Sequence, residues 1–234
     1  MYKRVLLKLS GEQLAGKFEG GIDAELITWL GNEIKKVVAS GTQVVIMVGG
    51  GNYARGAQLA GHGIGRVTAD NIGMLATMMN GVALADIFNA HDVSARALTN
   101  IKSDQVADQF THRRAISDLR KGHVVIVVGG IGRPYLTTDT AALSLALELE
   151  CEVVLKATKV DGVYDKDPAR FPDATKIDHL SFQQAVEDSD IKVMDKAALG
   201  LAMEHALPII VFNALEAGNI TKAAAGNQVG TKIS

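Results

Sequence analysis

One stretch, residues 44–56, constrains the fold more than any other. An apolar run there breaks into three consecutive glycines and then reaches Arg55. The uncharged and mostly β-branched run is typical of a strand that is covered on both faces of a sheet. Gly49, Gly50 and Gly51 carry no Cβ and so allow backbone N–H groups to approach a phosphate. Such a cluster is equally typical of a plain strand-to-helix turn, and this stretch alone leaves both interpretations open.

The composition is that of a globular chain. Its 234 residues are 47% hydrophobic and 21% charged, which is enough apolar material for a large core, and we expect one domain over residues 1–234. The formal net charge of -2 gives no reason to expect a nucleic-acid or membrane partner. The N-terminal apolar run is too short for a signal peptide, and no later stretch is expected to span a membrane. Cys151, the single cysteine, is expected in the core, and a cytoplasmic location follows.

Apolar runs alternate with helical patterns along the whole chain. Strands are predicted at residues 4–9, 44–48, 93–98, 123–128, 153–156 and 209–212, with an edge strand at 231–233. Helices are predicted at about residues 23–41, 70–90, 107–121, 138–150, 182–187 and 195–205, and from 220. The alternation predicts an α/β fold with a mainly parallel sheet that helices cover on both faces.

Several groups that attract phosphate follow the predicted strands. Lys8 ends the first strand, a second glycine cluster begins at Gly129 after another, and residues 156–167 are dense in lysine and aspartate. The carboxyl ends of parallel strands meet at one edge of a sheet, where open α/β sheets bind ligands. Lysines and backbone N–H groups that converge there would stabilise a transferring phosphoryl group electrostatically. The sequence therefore predicts a phosphoryl-transfer site.

Two common phosphate-binding motifs fit poorly. A Walker A loop fails because Ala57 and Gln58 stand where lysine and a hydroxyl belong. The dinucleotide fingerprint fits the glycines after residue 48, but its acid should end a strand, whereas Asp70 opens a helical pattern. An aspartate at the start of a helix is most often a cap, and it can also hold a ligand hydroxyl.

A set of spaced motifs occurs in order along the chain: KLSGE at 8–12, GGGN and RG within 49–56, IGMLATMMNG at 72–81, TTD at 137–139, LKATKVDGVYDKDP at 155–168 and KVMD at 192–195. Through them the chain resembles, over essentially its whole length, the bacterial uridylate kinases (UMP kinases) of the amino-acid kinase superfamily. The resemblance implies a three-layer α/β/α sandwich with a central, mainly parallel sheet. It also implies transfer of the γ-phosphoryl group of Mg-ATP to UMP, which gives UDP and ADP. The alternatives are a nucleotide-sensing regulatory protein on the same fold and a superfamily kinase that acts on a carboxylate or carbamate.

The resemblance assigns a role to each of a set of residues. The catalytic group would be Lys8, Asp139 and Lys156, with Asp139 orienting the lysines and Asp195 supporting the site. ATP would be bound by Lys8, Leu9, Ser10, Gly11, Gly51, Arg55, Thr158, Tyr164 and Asp167. UMP would be bound by Gly50, Asp70, Ile131, Gly132, Arg133, Pro134, Tyr135, Leu136, Thr137 and Thr138. No resident metal ligand is implied, since Mg²⁺ arrives with ATP.

The resemblance further implies a homohexamer, activation by GTP and inhibition by UTP. The segment linked to the GTP response corresponds to Gly16, Lys17, Phe18, Glu19, Gly20 and Gly21. Two departures from the family pattern stand near the site. Members commonly have Gly-Thr-Gly-Asn-Pro where this chain has Ile131 and Arg133, and Ala54 replaces a frequent aromatic residue. Ile131 cannot donate a side-chain hydrogen bond, so the contacts there are expected to change, and Arg133 is a candidate phosphate or subunit contact.

Overall fold

The computed structural model describes residues 1–54, 63–166, 168, 170–188 and 193–234. The strands in this part of the chain are β1 Arg4–Leu9, β2 Gln43–Val48, β3 Ala95–Thr99, β4 Asp108–Gln109, β5 Val124–Val128, β6 Val153–Thr158, β7 Val163–Tyr164, β8 Lys176–Ile177, β9 His179–Leu180, β10 Ile209–Asn213 and β11 Thr231–Ile233. The helices are α1 Gly11–Leu14, α2 Ala24–Ala39, α3 Arg66–Ala90, α4 His112–Arg120, α5 Thr138–Glu148, α6 Phe182–Glu187, α7 Lys196–Glu204 and α8 Asn219–Ala224.

One nine-stranded sheet organises the molecule, in the order β4-β3-β5-β2-β1-β6-β10-β11-β9. Every neighbouring pair in it is parallel except β10 and β11. Strands β7 and β8 form a separate antiparallel pair. The predicted mainly parallel sheet is confirmed, and the carboxyl ends of β1, β2, β5 and β6 lie side by side at one edge.

Side chains of successive residues in each strand point to opposite faces of the sheet. In β1, Val5, Leu7 and Leu9 pack with residues of α2, α3 and α8, whereas Leu6 packs with residues of α4, α5 and α7. The sheet is therefore the middle of three layers, which confirms the α/β/α sandwich. Lys8 follows Leu6 by two residues and so lies on the face that α5 covers.

Local signals fix the helix ends much as the sequence predicts. The Asp23 carboxylate accepts hydrogen bonds from the backbone N–H groups of Glu25 and Leu26 and so caps α2. Gly41, at φ +91°, supplies the left-handed residue after that helix. Ser181 caps α6 and Asp195 caps α7, both as predicted.

Several elements differ from the prediction in position or in their first residue. Strand β11 is interior, because β9 pairs with its outer side, and β9 itself is too short to give a periodic signal. Helix α4 begins at His112 rather than near 107, since Asp108 and Gln109 pair with β3 instead. Strand β3 starts at Ala95 rather than 93. Helix α3 begins at Arg66, so the prediction that Asp70 opens it is wrong.

Helix α3 resembles a membrane span in length and composition, although no stretch is expected to span a membrane. Its 25 residues are long and apolar enough to cross a membrane by length and composition alone. In the structure, however, α3 packs against β3, β5 and α2, with Leu84 and Phe88 fully buried. Packing against the sheet and α2 accounts for the apolar residues on its inner side.

Candidate active site

Two lysines lie side by side at the carboxyl edge of the sheet. Lys8 in β1 and Lys156 in β6 are register partners on adjacent parallel strands, which are about 4.8 Å apart. Each follows a buried residue of the α5 face by two positions, so both side chains project to that face. The pairing of the strands thus places two ammonium groups beneath the start of α5.

Asp139, in the first turn of α5, joins the two lysines. Lys8 Nζ is 2.7 Å from Asp139 Oδ1, and Lys156 Nζ is 2.7 Å from Asp139 Oδ2. Only 10–15% of each of the three side chains is exposed. One carboxylate therefore offsets one of two positive charges, and the cluster keeps a net positive charge that favours an anionic ligand.

The protonation states of this cluster follow from its burial together with the charges of its members. Burial raises the pKa of Asp139, but the two lysines lower it by more, so the pKa lies below its ordinary value and the group is a carboxylate at neutral pH. Burial lowers the pKa of Lys156, and its ion pair with Asp139 opposes that shift only in part. Lys156 Nζ also donates a hydrogen bond to the carbonyl of Val193. Lys156 is thus held by two acceptors on separate elements.

Asp195 ties the start of α5 to α7. Its carboxylate accepts hydrogen bonds from the hydroxyls of Thr137 and Thr140, at 2.9 and 3.0 Å for Thr140, and from the backbone N–H of Ala198 at 2.8 Å. Thr137 is the N-cap of α5. The expected supporting residue therefore acts on the turn that carries Asp139.

The first glycine loop, Gly49–Asn52, packs directly on the turn that follows β1. The Gly49 N–H donates to the carbonyl of Leu9 at 3.0 Å. A Cβ on Gly11 would lie 2.6 Å from both the Gly49 carbonyl oxygen and Asn52 Oδ1, so only glycine fits there. A Cβ on Gly51 would lie 3.1 Å from the Glu12 side chain. The structure thus brings together the predicted ATP residues Leu9, Ser10, Gly11 and Gly51 beside Lys8.

The second glycine loop, Gly129–Gly132, leaves β5 next to the first. Gly129 and Gly130 have φ values of +80° and +55°, and Asn100 Nδ2 donates to the Gly130 carbonyl at 2.6 Å. Ile131 packs against the core on the α5 face. The departure from the family pattern at that position is therefore compatible with an apolar contact.

Asp70 lies in contact with the segment 131–138, the other part of the chain that the resemblance assigns to UMP. Asp70 Oδ2 accepts the backbone N–H of Tyr135 at 2.8 Å, and both carboxylate oxygens accept from Arg66 Nε at 2.9 and 2.8 Å. The Arg66 guanidinium also lies 5.1 Å from the centre of the Tyr135 ring. Asp70 lies in the second turn of α3, so its interpretation as a helix cap is wrong. Arg133, Tyr135 and Leu136 are exposed, and Gly132 and Pro134 are partly so.

The remaining expected ATP residues lie at the end of β6, beyond it, or outside the described residues. The Thr158 hydroxyl is within 2.6 Å of the Val160 carbonyl and 3.0 Å of the Phe212 carbonyl, and the Tyr164 hydroxyl donates to Asp161 Oδ1 at 2.6 Å. Arg55 and Asp167 fall outside the residues that the structure describes.

The segment 16–21 lies against the first glycine loop rather than the lysines. Gly21 N–H donates to the Asn52 carbonyl at 3.1 Å, and Asn52 Nδ2 donates to the Gly21 carbonyl at 2.6 Å. Lys17 forms a surface ion pair with Glu25, and half of Phe18 is exposed.

Three polar residues near the site were not predicted from the sequence to have a role there. Asn52, Thr77 and Asn80 are buried, and each binds backbone of a glycine loop or of segment 16–21. In the sequence these residues could have been recognised as polar residues within stretches that are otherwise apolar or glycine-rich. A polar side chain that is buried in such a stretch needs specific hydrogen-bond partners. Among the described residues no group of three or more His, Cys, Asp or Glu side chains could hold a metal ion.

Comparison with known proteins places this geometry in a family. A model of the amino acid kinase family matches residues 3–213. The uridylate kinase of Photobacterium profundum is 47% identical over 234 residues, which cover 100% of this chain and 97% of that protein. The structure of UMP kinase from Bacillus anthracis has a TM-score of 0.94 and 38% identity, covering 100% of this chain and 96% of that one. For UMP kinase from Ureaplasma parvum the TM-score is 0.92 and the identity 33%, with 100% and 99% of the two chains covered. This chain therefore belongs to the amino acid kinase family.

Proposed function

We infer that this protein is a UMP kinase, an enzyme that transfers the γ-phosphoryl group of Mg-ATP to UMP and releases UDP and ADP. The observation that carries this conclusion is the buried Lys8–Asp139–Lys156 cluster, which lies at the carboxyl edge of the sheet, the edge at which both glycine loops leave their strands. The full-length similarity to uridylate kinases selects UMP among acceptors. A nucleotide sensor without turnover is not favoured, because a sensor has no need of this cluster.

The reaction requires the protein to align the two substrates and to neutralise the charge of their phosphate groups. The acceptor is already an anionic phosphate oxygen, so no general base is required. Two unit charges of like sign repel by about 4 kcal/mol at 4 Å and an effective dielectric constant near 20. The Lys8 and Lys156 ammonium groups offset this repulsion at the transferring phosphoryl group. Asp139, an ionised carboxylate, holds both lysines in place and takes up no proton.

We propose that the two substrates enter from opposite sides of this cluster. ATP, with its Mg²⁺, lies against the turn after β1, Gly51 and the segment from Thr158 to Tyr164. Arg55 and Asp167, which fall outside the described residues, keep the ATP contacts that the family resemblance implies. UMP lies against Gly50, Asp70 and residues 131–138. The N-terminus of the 11-residue helix α5 directs the positive end of its dipole to the same place, while the Thr137 hydroxyl accepts the N–H groups of Asp139 and Thr140.

We further propose that the protein is a homohexamer built from a single domain per chain. The outer face of α3 supports self-association, because Val67, Leu75 and Met79 are each about half exposed there. Sedimentation velocity tests this, and a monomer at micromolar concentration would contradict it.

Regulation by GTP and UTP and a cytoplasmic location complete the proposal. The support for a GTP response is local: segment 16–21 bonds through Asn52 to the first glycine loop, so a change in that segment would reach the phosphate contacts. UTP shares its nucleoside with UMP and would compete at the acceptor site.

The deciding experiment is a coupled assay of ADP release with Mg-ATP and each nucleoside monophosphate, with and without GTP. UMP should support turnover that Lys8→Ala abolishes. Turnover of CMP or of an amino acid, without turnover of UMP, would show that the acceptor is wrongly assigned.

A further inference from the structure

Helix α3 carries two buried polar side chains one turn apart in an otherwise apolar stretch. Thr77 is 1% exposed and Asn80 is not exposed at all. Residues three positions apart lie on the same face of a helix, so both side chains point in the same direction. On that side lie the two glycine loops.

Asn80 holds the first glycine loop. Its Nδ2 donates to the Gly49 carbonyl at 2.7 Å. Its amide also pairs reciprocally with the Asn52 amide, each Nδ2 donating to the other's Oδ1 at 2.8 Å. Both ends of the loop are thereby fixed to one side chain of α3.

Thr77 holds the second glycine loop. Its hydroxyl donates to the Met74 carbonyl at 2.7 Å and accepts the Gly129 N–H at 2.8 Å. Gly129 is the first residue after β5, at the point where the chain turns into a left-handed conformation. The hydroxyl thus sets the direction in which the segment toward residues 131–138 departs.

Helix α3 approaches both the first glycine loop and the end of β5 closely. A Cβ on Gly50 would lie 2.7 Å from Ala76 Cβ, and a Cβ on Gly81 would overlap Val128 Cγ1. Since β2 and β5 are neighbours in the sheet, a single turn of α3 lies against the end of each strand. Small shifts at Thr77 or Asn80 would therefore change the distance between the loops.

We propose that Thr77 and Asn80 are positioning residues that fix the spacing between the first and second glycine loops. This inference rests on the proposed function, which assigns Gly51 of the first loop to ATP, and assigns Gly50 together with the segment that follows the second loop to UMP. Phosphoryl transfer requires the two phosphates in line, so the spacing of the loops affects the reaction even though neither side chain is assigned a substrate contact.

A compound that spans both loops tests the spacing directly. The probe is adenosine and uridine joined by a chain of phosphates, and its affinity is measured by calorimetry beside those of ATP alone and UMP alone. Thr77→Val keeps the shape of the side chain but removes the hydroxyl. It should weaken binding of the joined compound about tenfold or more, and lower kcat similarly, while ATP and UMP each change by less than about threefold. Thr77→Ser, which restores the hydroxyl, should recover the affinity.

Thr42→Val is the matched control. The Thr42 hydroxyl is also buried and donates to a carbonyl, that of Tyr2, at 2.8 Å, but it precedes β2 at the opposite end of the sheet. This variant should lose thermal stability yet bind the joined compound like the wild type. Equal affinities of Thr77→Val and Thr42→Val for the compound, or an equal loss for ATP, UMP and the compound, would overturn the positioning role. A wild type that bound neither UMP nor the compound would instead overturn the proposed function and the assignment of the loops with it.

Discussion

Lys8 and Lys156 are register partners on adjacent parallel strands and share the carboxylate of Asp139 at 2.7 Å each. The pairing is a consequence of sheet geometry: equal positions on neighbouring parallel strands place their side chains on the same face. Two like charges would repel there without the carboxylate between them. Asp139 is therefore required both for the stability of this edge and for the placement of the two ammonium groups.

Replacement of that carboxylate should damage stability and activity together. Asp139→Asn removes the carboxylate that pairs with both buried ammonium groups, and breaking a buried ion pair in this way costs about 3–5 kcal/mol. We expect a lower thermal midpoint and a fall in kcat of about a hundredfold or more, since both lysines lose their orientation. Asp104→Asn is the control, because Asp104 is exposed and 3.7 Å from Lys102. A stable Asp139→Asn protein with normal kcat would show that the ion pairs are dispensable.

Acid should remove the stabilisation that Asp139 provides. Because the lysines hold the pKa of Asp139 below its ordinary value despite burial, the folded protein binds this proton less tightly than the unfolded chain. The stabilisation is complete above the ordinary pKa, about 4, and is lost as pH falls through the folded pKa. In urea unfolding, the stability difference between the wild type and Asp139→Asn should be largest near neutral pH and shrink below about pH 4. A difference that stays constant down to pH 3 would contradict this linkage.

The sequence predicts those parts of the fold and site that depend on local pattern. Alternation of strands and helices predicts the parallel sheet, and Lys8 and Lys156 are recognisable because each ends an apolar strand. The caps Asp23, Ser181 and Asp195 follow from their side-chain chemistry.

The rest depends on contacts between distant segments. Strand β11 is interior because β9, two residues long, pairs with it, and a two-residue strand carries no period. Asp70 lies in the second turn of α3 because the helix begins at Arg66, after Gly65, which carries no capping side chain. Thr77 and Asn80 look like ordinary interruptions of an apolar helix until Gly49 and Gly129 are seen opposite them.

Lys8 should be needed for turnover but not for folding. Lys8→Ala leaves Asp139 paired with Lys156, so one negative and one positive charge remain and no buried charge of the cluster loses its partner. Loss of a positive group at the transferring phosphate should lower kcat by about a hundredfold to a thousandfold, with a small change in thermal midpoint. Lys35→Ala is the control, since Lys35 is half exposed and forms a surface ion pair with Asp92 at 3.7 Å. If Lys8→Ala retained more than about a tenth of wild-type kcat, Lys8 would not be a catalytic residue.

Asp70 should discriminate between UMP and dUMP. Its Oδ2 is engaged by Arg66 and by the Tyr135 N–H, whereas Oδ1 accepts only from Arg66 among the hydrogen bonds of the described residues and so has capacity for a ribose hydroxyl. Wild-type kcat/KM should be lower for dUMP by about tenfold or more, because an acceptor without the hydroxyl cannot form this hydrogen bond to Oδ1 of a carboxylate that is only 15% exposed. Asp70→Ala should bring the two acceptors within about threefold of each other by lowering kcat/KM for UMP, with little change in KM for ATP. Asp92→Asn, which alters an exposed aspartate just beyond the far end of α3, should leave the preference unchanged. Equal kcat/KM for UMP and dUMP in the wild type would show that Asp70 does not bind the ribose hydroxyl. Its remaining role would be to hold the Tyr135 backbone.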